Sequence, residues 1–548
     1  MKEIQTKGDG ARQTIYYGGT IRTMDEKEQA EAVLVSGGRI AAVGALGEVE
    51  READLRRQAG KSEPEKIFLE GRTMLPAFID AHSHFSGCAS DMMQVDLGRA
   101  ESFQEIREIL QAYREDHNIP DGQWIRGKGY DHNRLKERTH PDRAVLDEAL
   151  PSNPVMITHQ SGHVGVFNTL ALERLGVTGD TPSPEGGKIG KKDGTPTGYM
   201  EENAFVDYMK KVPMASMEEF LHAFREAQQC YAAHGITTVQ EGMMVQELLP
   251  FYRALAEQDL LYLDVVLYAD LRQKEQLTRE LDACRSGYRD HIRLGGYKIF
   301  LDGSPQSRTA WLRAPYEGAD DGYCGYGTMR DEEVKDAFRQ AFQDQMQLLA
   351  HCNGDAACEQ YIRCYEEVKR EFPGREIHPV IVHAQLLSPD QLERVKKLRM
   401  IPSFFVAHVY HWGEVHRKNF GERRAERISL CRSALKQGIR FTFHQDSPVI
   451  APDMLETVWC AVNRETEQGR VLGAQERIPV EEALKAVTIH AAWQYGEDRE
   501  KGSITPGKSA DFVILDGDPC RVDPEQIRKI RVVRTIKAGR SIYEDGSF

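Results

Sequence analysis

The hydrophobic pattern divides the 548-residue chain into two alternating kinds of segment. From Ile15 to about Leu69, short apolar runs such as IYYGGTI, AVLVSGGRIAAVG and KIFLEG are interrupted by glycine-rich breaks, the pattern of short strands and tight turns. The far end repeats it in ADFVILDGDP and VVRTIKAGRSIYEDG. Between these ends, apolar runs of strand length alternate with longer helix-like stretches, which predicts repeated βα units around a parallel sheet. The candidate strands are MLPAFIDAHSH, ITTVQEG, LYLDVVLYAD, GYKIFLDG, MQLLAHCNGD, HPVIVHAQ, MIPSFFVAH and IRFTFHQDSP. Eight is the number that closes a β/α barrel.

The predicted fold class is therefore α/β, a TIM-like (β/α)8 barrel. Pairing of the two strand-rich ends into one small β-sandwich gives residues 1–75 and 500–548 as its two parts and residues 76–499 as the barrel. About 150 residues separate His84 from Ile236, far more than one βα unit needs, so an insertion of about 96–208 is expected after barrel strand 1.

Composition narrows the function. With 40% hydrophobic and 28% charged residues the chain can build a large core. A formal net charge of -14 opposes tracking a phosphate backbone, so nucleic acid is not an expected partner. No apolar run approaches the ~18 residues of a membrane span, and the start MKEIQTKGDGARQT has no signal-like apolar stretch; no membrane partner and a cytoplasmic location are expected. Ten cysteines without a CxxC pair fit free thiols in a reducing compartment.

The chemistry sits at predicted strand ends. In a strand, side chains alternate, so His82 and His84 project from one face with Asp80. Neutral imidazole is a preferred ligand for Zn²⁺ and similar ions. Alone, an HxH pair is more often an ordinary surface or core pair. Four further strands, however, end in Lys298, His351, His383 and Asp446. The C-terminal ends of barrel strands are where active sites are assembled, and five such coincidences point to a metal-dependent catalytic site.

The motifs GRTMLPAFIDAHSHF, SGHVGVFNTLAL, EGGKIGKKDGTPTGYMEENA, KIFLDGSPQSRTAWLRAPY, HCNGDAA, QDSPV and KGSITPGKSADFVILD run almost end to end. Through them the sequence resembles the amidohydrolase superfamily, in particular amidohydrolase family 3, and is N-substituted formamide deformylase-like. The resemblance implies a hydrolase of a non-peptide C–N bond, an N-substituted amide or formamide, with two Zn²⁺ per chain and Mn²⁺ or Fe²⁺ as alternatives. His82 and His84 would hold the more buried ion and His351 and His383 the more exposed one, with Lys298 bridging both as a carbamate. Asp446 would ligate the first ion, take the proton of a metal-activated hydroxide's parent water and pass it to the departing nitrogen.

Four residues are candidates for substrate binding. His163 in SGHVGVFN lies in the insertion, Arg308 follows strand four, His408 follows strand seven, and His444 replaces the small residue usual in relatives before the strand-eight aspartate. His444 shares parity with Asp446, so it would crowd the pocket, hydrogen-bond a ligand or add one. His411 and His416 read as surface residues on a mobile segment, and Asp131 and Glu202 as structural. Two other functions compete: a single-metal deaminase of the same superfamily, disfavoured by Lys298 and by the Cys352-Asn353-Gly354 that follow His351, and a non-catalytic barrel kept as a binding module, disfavoured by the complete ligand set. A small-molecule substrate is the expected partner, and homo-oligomerisation is left open.

Overall fold

The computed structural model describes residues 12–160, 163–213, 215–319 and 321–547. They form two compact units, one of Met1–Cys88 with Ala227–Phe548 and one of Ala89–Glu226.

In the first unit, eight parallel strands lie side by side in chain order: Phe78–Ile79, Ile236–Met244, Asp264–Asp270, Ile292–Phe300, Gln347–Cys352, Val380–His383, Ile401–Phe404 and Thr442–Phe443. We number them barrel strands 1 to 8. They coincide with the eight apolar runs because a parallel strand covered on both faces has no polar side to show. Ile79, Val266, Leu349, Val380, Val382 and Ile401 pack into one buried cluster with Ala491 and Tyr495. Strands 1 and 8 are tied by side chains: Gln494 donates to the Ala81 carbonyl at 2.8 Å and accepts from the Thr442 hydroxyl at 2.7 Å. Just beyond, the His84 amide donates to the Ser447 carbonyl at 2.8 Å.

The terminal segments share a second eight-stranded sheet, in which Phe512–Leu515 runs antiparallel to Thr73–Pro76, register Phe512 to Pro76, and Thr73–Pro76 lies parallel to Gln13–Arg22. Tyr16, Ile21, Val33, Met74, Phe512 and Ile536 bury one face of it. A buried Arg22–Asp518 pair, with two hydrogen bonds of 2.8 and 2.9 Å, links the two ends of the chain.

The second unit carries its own six-stranded sheet, in the order Gly187–Lys192, Thr195–Glu202, Val164–Phe167, Val155–His159, Ile125–Tyr130, Val95–Asp96. Its core includes Val95, Ile106, Leu110, Ile125, Val155 and Val166. Among the described residues no helix is long and apolar enough to cross a membrane.

Candidate metal centre

Barrel strand 1 ends at Ile79, so His82 and His84 stand on the segment that leaves it. That segment is clamped against strand 2: His84 bridges to Glu241, and Glu241 accepts from the Ser86 amide at 2.8 Å and the Tyr252 hydroxyl at 2.9 Å. The close approach depends on Gly242, where an added Cβ would come within 2.6 Å of the His82 ring. Gln240 receives His82 Nδ1 at 2.5 Å and is itself fixed through donations to the Ala81 carbonyl and the Tyr495 hydroxyl. This leaves Nε2 of His82 facing the centre.

Asp446 completes a triangle. Its Oδ1 lies 3.4 Å from His82 Nε2 and 3.4 Å from His84 Nε2, and the three ligand atoms fit around one ion. Oδ2 lies 3.8 Å from His383 Nε2, whose ring centroid is 4.6 Å from that of His351. Lys298, 1% exposed, brings Nζ within 3.3 Å of His82 Nε2. His383 and Asp446 both adopt left-handed backbone, with φ of 72° and 52°. For non-glycine residues this costs on the order of 1 to 3 kcal/mol each and persists where surrounding contacts impose it.

The protonation states leave lone pairs for a cation. Burial, reinforced by Lys298, His444 and His84, holds His82 well below its ordinary value; burial and His351 do the same for His383. Both imidazoles are therefore neutral and have lone pairs to offer. Burial works to raise the Asp446 carboxyl, but His84 beside it, with His444 and Lys298, leaves it below the usual value. Burial pushes Lys298 down to about 8, against the pull of Asp446 and Cys352. Asp446 Oδ1 is buried without a hydrogen-bond partner. Neutral nitrogens facing a buried, unsatisfied carboxylate oxygen form a donor set that a divalent ion would satisfy.

The amidohydrolase family matches residues 67–543, nearly the whole of this arrangement. The chain belongs to the amidohydrolase family. It is 30% identical to the N-substituted formamide deformylase of Arthrobacter pascens, covering 97% of this chain and 98% of that one. It is 29% identical to the putative amidohydrolase YtcJ of Bacillus subtilis (strain 168), covering 97% and 99%. An uncharacterized metal-dependent hydrolase from Pyrococcus furiosus superposes with a TM-score of 0.75 at 25% identity, covering 93% of this chain and all of the other. This amidohydrolase is a metal-dependent enzyme that hydrolyses carbon–nitrogen bonds.

Two residues that hold the rings of His82 and His351 were not singled out in the sequence. Gln240 is one. The other is Asp302, 3% exposed, in the DGSPQ stretch after strand 4: its Oδ1 meets His351 Nδ1 at 3.1 Å, and the carboxylate accepts from the amides of Asn353, Trp311 and Gly354. A carboxylate behind an imidazole fixes its tautomer and aims the opposite nitrogen.

His444 proves to be a partner of His383. It is fully buried, with Nε2 3.1 Å from His383 Nδ1 and Nδ1 2.9 Å from the Ser403 hydroxyl. His408 is buried as well, its Nδ1 3.0 Å from His416 Nε2 and its ring against Phe405 and Trp412. The sequence reading of His411 and His416 as surface residues is corrected: both lie on the helix His408–Phe420, His416 is fully buried against His408, and half-buried His411 pairs with Glu456 at 2.9 Å. Arg308 folds onto its own loop, donating to the Glu317 carbonyl at 3.1 Å and lying over the Tyr316 ring. His163 belongs to the insertion unit, where its exposed ring meets Glu202 at 3.1 Å.

A cavity of about 600 Å³ reaches Lys298 and is lined also by Met243, Asp270, Ile299, Phe300 and Thr328. A cavity of about 640 Å³ lies wholly in the insertion unit, around Tyr113, Trp124, Arg126, Glu219 and Glu226, and contains none of the strand-end residues.

Proposed function

We propose that this amidohydrolase cleaves an N-substituted amide or formamide to a carboxylic acid and an amine. The observation that carries the reading is the convergence of His82, His84 and His383 on Asp446, with Lys298 beside them and His351 beside His383. The similarity to the A. pascens deformylase over nearly both chains supports the substrate class.

His82, His84 and Asp446 would hold one divalent ion and His351 and His383 a second, with Lys298 as a carbamate between them. Zn²⁺ is the proposed ion, with Mn²⁺ or Fe²⁺ as alternatives. Such ions supply an acidified water and polarise the carbonyl of the substrate. Lys298 is suited to carbamate formation because only its neutral amine reacts with carbon dioxide, and burial lowers it to about 8. Asp446 accepts a proton from the attacking water and delivers it to the amide nitrogen, which leaves as the amine. Arg308 and His408 are assigned to the substrate side. His444 stands behind His383. The paired ends, residues 1–75 and 500–548, are assigned to a β-sandwich flanking a barrel of residues 76–499. The ten cysteines, none of them in a disulfide, support a cytoplasmic location.

The test is turnover of N-formyl and N-acyl amines by the metal-loaded chain, compared with Asp446→Asn. Loss of a proton shuttle is expected to lower kcat by about 10²- to 10⁴-fold. Unchanged turnover in the variant would refute the assignment of Asp446. One ion per chain, with turnover of an aminoheterocycle instead, would select a single-metal deaminase.

A further inference from the structure

Outside the barrel, one cluster in the insertion unit has the composition and geometry of a metal site. Asp131 and His132 follow the strand Ile125–Tyr130, and His159 ends the neighbouring strand Val155–His159, where it pairs with Tyr130. A register shift between Gly127 and Tyr130, with Gly129 at φ 81°, changes the course of the strand just before the two ligand candidates. His132 Nδ1 and His159 Nε2 come to 3.1 Å, and Asp131 Oδ1 lies 3.7 Å from His159 Nε2 and 3.9 Å from His132 Nδ1. Donors on a tetrahedral ion with bonds of about 2.0 to 2.1 Å stand roughly 3.3 Å apart, so these edges need only small adjustment to close on a cation.

The surroundings hold the donors in place. The Asn133 backbone amide and side-chain amide donate to Asp131 Oδ1 at 2.9 and 3.1 Å. The His140 ring stacks on His132 at 4.1 Å between centroids and is itself held by Tyr130, whose hydroxyl is 3.0 Å from His140 Nδ1. The side chains of Asp131 and His159 are 14% and 9% exposed, while His132 is 31% exposed, which leaves one side open to water as a fourth ligand.

We propose that Asp131, His132 and His159 bind a divalent transition-metal ion separate from the barrel set. Two imidazoles and one carboxylate select Zn²⁺, Cu²⁺ or Ni²⁺ over the oxygen-preferring Ca²⁺ and Mg²⁺. The ion pins the ends of two neighbouring strands, and its role is structural.

The experiment uses the full chain, stripped with chelator and titrated with Co²⁺. A variant lacking every proposed barrel ligand, with His82, His84, His351 and His383 changed to Gln, Lys298→Met and Asp446→Asn, keeps the insertion cluster and is expected to bind one Co²⁺ per chain with a visible d–d spectrum. Adding His132→Gln, a half-exposed position, or Asp131→Asn should weaken that binding by at least about 100-fold while the far-UV circular dichroism is unchanged. Two results would overturn the proposal: no stoichiometric Co²⁺ in the barrel-ablated variant, or a spectrum and affinity indifferent to His132→Gln and Asp131→Asn.

Discussion

His444→Leu tests whether the buried histidine behind His383 works through the candidate metal centre. His444 has two buried partners, His383 at 3.1 Å and the Ser403 hydroxyl at 2.9 Å. If His383 Nε2 is to meet an ion, its Nδ1 carries the proton and donates to His444 Nε2, whose own Nδ1–H then points at Ser403. Leucine fills most of the imidazole volume but accepts nothing, so the His383 N–H is left buried and unpaired at a cost of about 1 to 3 kcal/mol. Part of that cost is recovered if His383 flips or changes tautomer, which removes Nε2 from the centre. Metal affinity should therefore fall by about 10- to 100-fold, the range for partners that orient a ligand. Competition with a chromophoric chelator measures this, and kcat/KM at saturating metal shows whether activity returns once the site is filled. His444→Gln, able to accept at a similar reach, should recover much of the affinity. Equal affinity in His444→Leu and the parent would refute the idea that His444 orients His383.

Lys298 gives a pH signature in the metal-free protein. Its folded value of about 8 lies below the ordinary 10.5, so between these values the unfolded chain binds more protons and stability rises with pH. The penalty is present in full below about 8, amounts to about 3 kcal/mol, and disappears above 10.5. Urea-unfolding midpoints of the chelator-stripped chain should climb across that window, and Lys298→Met should flatten the climb; parallel curves would show that Lys298 is not held as a buried cation. At the opposite end of the strands, Asp264 accepts from Lys501 at 2.6 Å and Lys537 at 2.7 Å, with His291 Nδ1 at 2.9 Å. Asp264→Asn leaves two buried ammonium groups short of a counter-ion and should cost about 3 to 5 kcal/mol in thermal unfolding with kcat per folded molecule unchanged. A fall in kcat without a fall in stability would contradict the division between a stabilising and a catalytic face.

What could be read from the sequence follows from which physical constraints act on residue type. The eight barrel strands were legible because burial on both faces demands continuous apolar runs, and the structure pairs those runs in chain order. Histidines, a lysine and an aspartate at the ends of such runs were legible because they occur together at five strand ends, where any one alone would be ordinary. The groups that aim them were not. Asp302 and Gln240 occupy motifs in plain view, DGSPQ and VQEG, but a carboxylate or amide at a strand end is ordinary, and only contact with the His351 or His82 ring gives it meaning. The left-handed backbone of His383 and Asp446 was equally hidden, because no glycine marks it.

The histidines of the helix His408–Phe420 failed in the other direction. The polar neighbours in HWGEVHRKNF suggest exposure, whereas the helix turns His416 inward onto His408. His444 lies between these cases. Its identity was conspicuous and its parity with Asp446 placed it inside, yet parity alone allows a ligand, an obstruction or a support. What separates the three is Ser403 on strand 7, which engages one ring nitrogen and leaves the other for His383. A histidine with both nitrogens committed to protein partners has no lone pair left for an ion, and that excludes the ligand role on valence alone.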